Sequence, residues 1–453
     1  MKKVIAVFDI GKTNKKLLLF DENMQVVFQQ EQKFPVISDE DGFECDDIDL
    51  ITSWIKNELS ELATSAVYDL VSVNFSTYGA SLMFLDKDGE RLTPVYNYLK
   101  QVPEAIAEDL FSRYGGKDEF CRQTASPALG LLLNSGIQIL WLKLEKSDVF
   151  DKTRSILHFP QYLSYSLSGK VVSEPTSIGC HTFLWDYDNM AYHPWIKDQN
   201  IELPQPVTNN VVFESEISGK KVLVGTGIHD SSASLAPYLK GSDEPFILLS
   251  TGTWCITMNS FNNEPLTAEQ LEQDCLCFLS PDKQQVKSSR LFMGHFHEVW
   301  AEKLARHFQV ETGRFKTVSY DEGLVNSLTQ QPSVFFPNGK ESFEEGLKRV
   351  DLSAFKSYEE AYTKLVMELT ELCIRSIQLV IPQKDVTRNL YISGGFARNE
   401  IFIRLLAKHF SDKKVYTSEI DNASALGAAL VIAGTLDRAN LLQLDLGLKS
   451  WSE

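Results

Sequence analysis

Asp230 is the residue around which chemistry could be built. It follows His229 in the stretch TGIHDSSAS, directly after the apolar run KVLVG at residues 221–225. Phosphoryl transfer to an alcohol asks for one carboxylate within hydrogen-bond reach of the hydroxyl and little other covalent help from the protein. Asp230 is the candidate base. A lone Asp at the start of a helix also reads as an N-cap, with Ser231 as the other capping candidate, and His229 also reads as a turn histidine bonded to backbone.

Three glycine-containing turns could supply the rest of such a site. The first, Gly11-Lys12-Thr13-Asn14, follows Asp9 between the apolar runs of VIAVFDIGKTNKKLLLF, residues 4–20. With Gly11 free to adopt positive φ, a hairpin here would gather backbone N–H groups and the Thr13 and Asn14 side chains, with Lys12, Lys15 and Lys16 close by. That is a cradle for a phosphate, or an ordinary hairpin whose Asp and Asn satisfy turn geometry. The second, Thr251-Gly252-Thr253, repeats the pattern after the apolar run FILLS. One such hairpin per half would bracket a polyphosphate across a cleft. The third, Ser393-Gly394-Gly395, lies between a strand and a helix. Its missing Cβ atoms would let a base or ribose approach backbone, and it reads equally as a plain turn. Neither a Walker A motif nor GxGxxG is present. Cys275 and Cys277 lack a matching ligand pair, and His295 and His297 in MGHFH alternate as on a strand face without a third metal ligand nearby.

The elements that would position these residues are legible in outline. The runs flanking Gly11–Asn14 are short and β-branched, which favours strands. Residues 25–29 supply a third strand, 46–65 a helix, and 69–75 and 81–85 two more strands. Residues 97–200 read as a helical, aromatic-rich insertion, helical at 103–114, 135–146 and 155–167, with 173–186 an ordered loop near a cleft. Charge, Gly and Pro in KGSDEP (240–245) mark a domain boundary. Beyond it come strands at 246–250 and 255–259, a helix at 358–379 with an apolar core stripe, a strand at 389–392, a helix at 401–410, a strand at 414–418 and a helix at 423–433. Both halves share one order of elements, so the expectation is a duplicated α/β fold around a central cleft.

Composition narrows the class. The 453 residues are 43% hydrophobic and 23% charged, as in globular proteins, and are enough for two domains. The formal net charge of −17 argues against nucleic-acid or anionic-membrane partners. Seven scattered cysteines fit reduced thiols better than a disulfide framework. With no signal-like segment and no apolar run of about 18 residues, the expected location is cytoplasmic.

Taken in order, Asp9-Ile-Gly-Lys-Thr-Asn14, His229-Asp230-Ser-Ser-Ala233, Ser250-Thr-Gly-Thr-Trp254 and Ser393-Gly-Gly-Phe-Ala-Arg-Asn399 resemble the FGGY carbohydrate kinases over nearly the whole chain. The resemblance implies two actin-like ATPase (ribonuclease-H-like) domains around a central cleft, a sugar-binding domain over 1–240 and a nucleotide-binding domain over 241–453, with ATP and Mg²⁺ between them. It places Asp9 by the metal and Gly11, Lys12, Thr13 and Asn14 on the first phosphate loop. Thr251, Gly252 and Thr253 would form the second loop, Gly394, Gly395 and Asn399 would lie by the adenosine, and Asp230 would be the base. His before that Asp together with Gly-Thr-Trp is similar to rhamnulokinases and fuculokinases, which makes Thr77, Tyr78, Gly79, His229 and Asp230 the expected sugar contacts. Three departures fall where sugar hydroxyls are read. Ala80 and Ser81 follow Tyr78-Gly79 in place of an acidic residue, Pro160-Gln161 replaces Pro-Asp, and the usual charged residue after the Pro-Val strand is not obvious in residues 94–100 (PVYNYLK). The expected reaction is ATP-dependent phosphorylation of an L-rhamnulose- or L-fuculose-like ketose. The alternatives are another sugar or polyol such as xylulose, or a silent sugar- or nucleotide-binding relative. Partners are a sugar and ATP, with a homodimer left open.

Overall fold

The computed structural model describes residues 1–436 and 444–451. Two seven-stranded sheets organise them. The first contains β1 (Lys2–Ile10), β2 (Lys15–Phe20), β3 (Val26–Gln32), β4 (Tyr68–Thr77), β5 (Val212–Ile217), β6 (Lys220–Gly225) and the short β7 (Ile228–His229). The second contains β8 (Phe246–Thr251), β9 (Cys255–Asn259), β10 (Cys275–Leu279), β11 (Gln285–Leu291), β12 (Asn389–Gly394), β13 (Lys414–Thr417) and β14 (Lys449–Ser450). In the first sheet β1 pairs antiparallel with β2 and parallel with β4, which pairs parallel with β6. In the second, β8 pairs antiparallel with β9 and parallel with β12, which pairs parallel with β13. The same order of three antiparallel and two parallel strands thus occurs twice, the arrangement expected of paired actin-like domains.

The strand β1 is apolar at almost every position because both of its faces are covered. Val4, Ala6, Phe8 and Ile10 pack toward helix α1 (Ile48–Ala63), against Ile51, Ile55 and Leu59. The alternate residues Ile5 and Val7 pack against Ala425, Ala428 and Ala429 of α7 (Ala423–Val431), a helix from the far end of the chain. The period of two places Asp9 on that second face. The second sheet is covered reciprocally: Phe246 and Leu248 meet Leu235 and Tyr238 of α3 (Asp230–Gly241), which follows the first sheet. Helices α3 and α7 cross so tightly that a Cβ on Gly427 would overlap the Ala233 carbonyl oxygen. The remaining helices used below are α2 (Phe159–Ser168), α4 (Met293–Phe308), α5 (Tyr358–Gln378) and α6 (Glu400–His409).

Several local expectations change. Residues 155–167 are not helical throughout, since Ser155–His158 is a strand paired with Leu82–Leu85, and α2 starts beside it with Pro160 in its first turn, where a missing N–H costs nothing. The 173–186 segment contains a short helix, Pro175–Ile178, whose first N–H groups are capped by Glu174. His295 and His297 lie on α4 rather than on a strand, so they point to different faces. Gly11 does not use positive φ; it is needed because a Cβ there would sit 3.0 Å from the Asn14 carbonyl oxygen. Among the described residues no helix is long and apolar enough to cross a membrane.

Candidate active site

His229 ends β7 in register with Thr77 at the end of β4, which sets the two halves of the expected sugar contacts side by side. Gly79 leaves room for the imidazole, since a Cβ there would approach His229 to 3.0 Å. Asp230 is the first residue of α3, and the N-cap position falls to His229, which makes no capping bond with its side chain. The capping reading of Asp230 and Ser231 is therefore set aside. Asp230 Oδ1 accepts from the Ser231 N–H at 2.6 Å and lies 3.1 Å from His229 Nε2. Among the described residues no hydrogen bond reaches Oδ2, and the side chain is 35% exposed. One carboxylate oxygen is anchored and the other faces open space.

The Thr77 hydroxyl is donated to the Tyr78 carbonyl at 2.8 Å. The Tyr78 hydroxyl donates to Asp46 Oδ2 at 2.7 Å, and the same carboxylate takes Lys15 at 2.7 Å and Lys12 at 2.9 Å. Burial alone would push the Asp46 carboxyl up. The hydrogen bonds from Lys15, Tyr78 and Lys12 outweigh it and hold the group below its ordinary value. Lys12 thus links the Gly11–Asn14 turn to the segment that follows β4, and its ammonium sits 5.3 Å from the Tyr78 ring and 6.0 Å from that of Tyr98. Lys15, read from sequence as close to a phosphate, is buried behind the turn.

Asp9 is half-buried, and the loss of solvent around it pushes its carboxyl up, with repulsion from Asp230 adding to that effect. A 2.9 Å bond from the Ser424 hydroxyl on α7 and the charge of Lys16 work the other way. Lys16 itself donates to the Asn422 side chain at 3.0 Å. Asn14 Oδ1 is buried without a hydrogen-bond partner. A half-buried carboxylate repelled by a second one suits a hard divalent cation with oxygen ligands. Among the described residues no group of three or more His, Cys, Asp or Glu side chains could hold a metal ion, so such a cation would take its other ligands from phosphate and water.

In the second half of the chain a cavity of about 720 Å³, lined by Gly252, Thr253, His297, Phe315, Tyr362 and Asn399, would suit a nucleotide. Gly395 also lines it, with open space where its Cβ would be. Gly394 and Thr251 stand behind its wall. Gly394 has φ +86° and packs on Thr251, whose hydroxyl donates to the Ser393 carbonyl at 2.5 Å and accepts the Phe396 N–H at 3.0 Å. Gly294 at the start of α4 lies against the Gly252–Thr253 backbone, where a Cβ would overlap the Gly252 carbonyl. Tyr362 Oη is 2.9 Å from His297 Nε2 and accepts from Asn399 at 3.0 Å. Burial pushes His297 down to about 4, so its ring is neutral near pH 7. His295 stacks on Phe292 at 4.5 Å instead.

Asp46, Tyr98, Ser424, Phe315 and Tyr362 were not legible as site residues. Tyr362 lay inside a helix whose apolar stripe pointed only to core packing, and Ser424 reaches Asp9 across 415 residues of sequence. The one available signal was the helix start after Asn422, which ends near the first turn.

Two family models match the chain: the N-terminal domain of the FGGY family of carbohydrate kinases over residues 4–222, and the FGGY carbohydrate kinase C-terminal domain over residues 243–440. A rhamnulokinase of Halalkalibacterium halodurans is 22% identical, the match covering 92% of this chain and 91% of the relative. An L-fuculokinase of Haemophilus influenzae is 20% identical over 94% and 93%. A crystal structure of a carbohydrate kinase from Novosphingobium aromaticivorans shares the fold with a TM-score of 0.79 at 24% identity, covering 99% of this chain and 96% of that one.

Proposed function

The chain belongs to the FGGY family of carbohydrate kinases, and from that premise we propose that it transfers the γ-phosphoryl group of ATP to the primary C1 hydroxyl of a deoxy-ketose such as L-rhamnulose or L-fuculose. The observation that carries this reading is the Asp230 carboxylate, with Oδ1 tied to Ser231 and His229 and Oδ2 open. Oδ2 takes the hydroxyl proton as the sugar oxygen attacks phosphorus in line, a step to which a positioned base contributes about 10²–10⁴-fold. Tyr78 and Tyr98 flank the acceptor, and Lys12 stands over both rings. Residues 1–240 supply this acceptor side and 241–453 the nucleotide side, where Gly252, Thr253, Gly395 and Asn399 line the adenosine cavity. Thr13 and Asn14 face the phosphates from the first turn. Asp9 would hold Mg²⁺, which when bound neutralises charge on the phosphoryl oxygens.

The His229-Asp230 pair supports a ketose of the rhamnulose or fuculose kind, and the named relatives agree with it. The departures at Ala80 and Gln161 leave room for a different acceptor, such as xylulose or a polyol, although Gln161 carries less of that weight. Gln161 is buried and donates to the Thr226 carbonyl at 3.1 Å, so it supports the backbone beside His229 rather than reading a hydroxyl. ADP release measured over a panel of ketoses, aldoses and polyols decides. The highest kcat/KM is expected with a 6-deoxy-ketose; a higher value with xylulose or glycerol transfers the assignment to that acceptor, and no stimulation by any of them removes the kinase reading.

A further inference from the structure

Behind the His229-Asp230 pair, Cys180 and His181 have no part in the reaction as described so far. Cys180 is buried with its Sγ 3.3 Å from His181 Nε2 and 3.5 Å from His229 Nε2. The same His229 nitrogen is the one 3.1 Å from Asp230 Oδ1, and His229 Nδ1 is 3.5 Å from the Ser232 hydroxyl. The loop is held in a costly path: His181 at φ +41° and Phe183 at φ +65° are left-handed without being glycine, a conformation that non-glycine residues rarely adopt. Such strain persists only where neighbours over-determine it. Here the Thr176 hydroxyl accepts the His229 N–H at 3.0 Å, Glu174 caps Thr176 and Ser177, and the Tyr187 hydroxyl bonds the Gly179 and Cys277 carbonyls. Phe278 of β10, from the second sheet, closes over both imidazoles with its ring 6.3 Å from each.

We propose that Cys180, as a thiolate, is a positioning residue that keeps His229 charged behind the base, so that its Nε2–H holds Asp230 Oδ1 while Oδ2 faces the acceptor hydroxyl. The inference rests on the reading of Asp230 as the base. The surroundings agree with it. Burial by itself would push the Cys180 thiol up, but His181 and His229 outweigh it and bring the group down to about 6. Burial likewise works against a charged His229, and Cys180 and Asp230 overcome it, holding the imidazole well above its ordinary value. Of the other titratable groups near the cluster, the Glu174 carboxylate is taken up by Thr176 and Ser177, and three more are neutral near pH 7. His158, at the cap of α2, is pushed down to about 3 by burial, and burial pushes Tyr187 and Cys277 up. The thiols of Cys45, Cys121, Cys255 and Cys275 go up to about 11 or 12, and Cys277 and Cys373 go up as well. Cys180 alone among the seven is lowered.

Ultraviolet thiolate absorbance of the whole native chain, followed against pH, tests the pairing without any turnover. One thiolate per chain is expected near pH 7, absent in Cys180→Ala and lost in His229→Asn. In kinetics, removing the thiolate lets His229 lose its proton at lower pH. The alkaline limb of the kcat profile should therefore move down in Cys180→Ala, with kcat lower by on the order of tenfold at alkaline pH and the sugar KM within about twofold. Cys180→Ser, which cannot ionise but can accept a hydrogen bond, should recover part of the rate and none of the thiolate signal. A native chain without a thiolate near neutrality, or a Cys180→Ala profile that superimposes on the native one, overturns the proposal. If Cys180→Ala does not fold, the native thiol titration and His229→Asn decide. Should Asp230→Asn keep its turnover, the base reading fails while the thiolate signal still reports on the pairing.

Discussion

The hairpins β1–β2 and β8–β9 have the same topology, yet their turns are held by different means. Charge fixes the first: Lys12 and Lys15 converge on Asp46, Lys16 reaches Asn422, and Asp9 is met by Ser424. Shape fixes the second: Gly294 and Gly394 let backbone approach backbone at Gly252 and Thr251, and the Thr251 hydroxyl joins two strands. The half that would deprotonate the acceptor concentrates buried ionisable groups. The half that would bind nucleotide offers the rings of Phe315, Tyr362 and a neutral His297, with the charges of Glu298, Lys316, Arg398 and Glu400 in the same cavity lining. Substitutions in the first half should act through protonation and charge, those in the second through fit.

The largest expected effect is at Asp230. Asp230→Asn should lower kcat by about 10²–10⁴-fold while leaving the nucleotide dissociation constant, measured by calorimetry, nearly unchanged. Turnover above roughly a tenth of the native rate would break the assignment of proton chemistry to this half.

Asp46→Asn comes next. Removing one partner of a buried charge cluster costs about 3–5 kcal/mol, read as a lower denaturant midpoint. The folded-state value of Asp46 is depressed, so its contribution is present in full above its unfolded value of about 3.9 and is lost as pH falls through the depressed one. The variant should therefore show a flatter acid limb of stability against pH; an unchanged limb would mean that charge does not hold the first turn.

Gly294→Ala probes shape alone. Overpacking against the Gly252 carbonyl should cost about 1–3 kcal/mol and raise the ATP KM, with the pH profile of kcat unmoved. A shifted pH profile would blur the contrast between the halves. The smallest effect belongs to Tyr362→Phe, which removes one hydroxyl shared by His297 and Asn399. About 1 kcal/mol of nucleotide affinity is expected to go, and an effect on sugar KM instead would place Tyr362 in the wrong half.

How much of this was legible in sequence follows from what sets each feature. The strands around Gly11–Asn14 and Thr251–Thr253 announce themselves by local apolar runs and β-branching, so their topology could be expected. Gly394 was read correctly as a special position but for another reason, because its demand comes from Thr251 on a neighbouring strand rather than from a ligand. His295 and His297 looked like a strand pair because a five-residue window cannot separate a period of 2 from one of 3.6. Asp46 and Ser424 could not be found at all. Each acts on a partner tens or hundreds of residues away, and each is an unremarkable residue at or near a helix start in its own stretch.

The exchange of α3 and α7 bears on how the chain can fold. Each helix is covalently continuous with one sheet and roofs the other. A fragment ending near residue 240 would leave Ile5, Val7, Leu18 and Phe20 without their cover, and the complementary fragment would leave Phe246 and Leu248 bare. Neither sheet can complete its core until the other has delivered its helix. The nascent chain must carry its first sheet half-roofed until residues 423–431 emerge, and a split into two separately expressed halves should yield aggregation-prone pieces that regain solubility only when mixed.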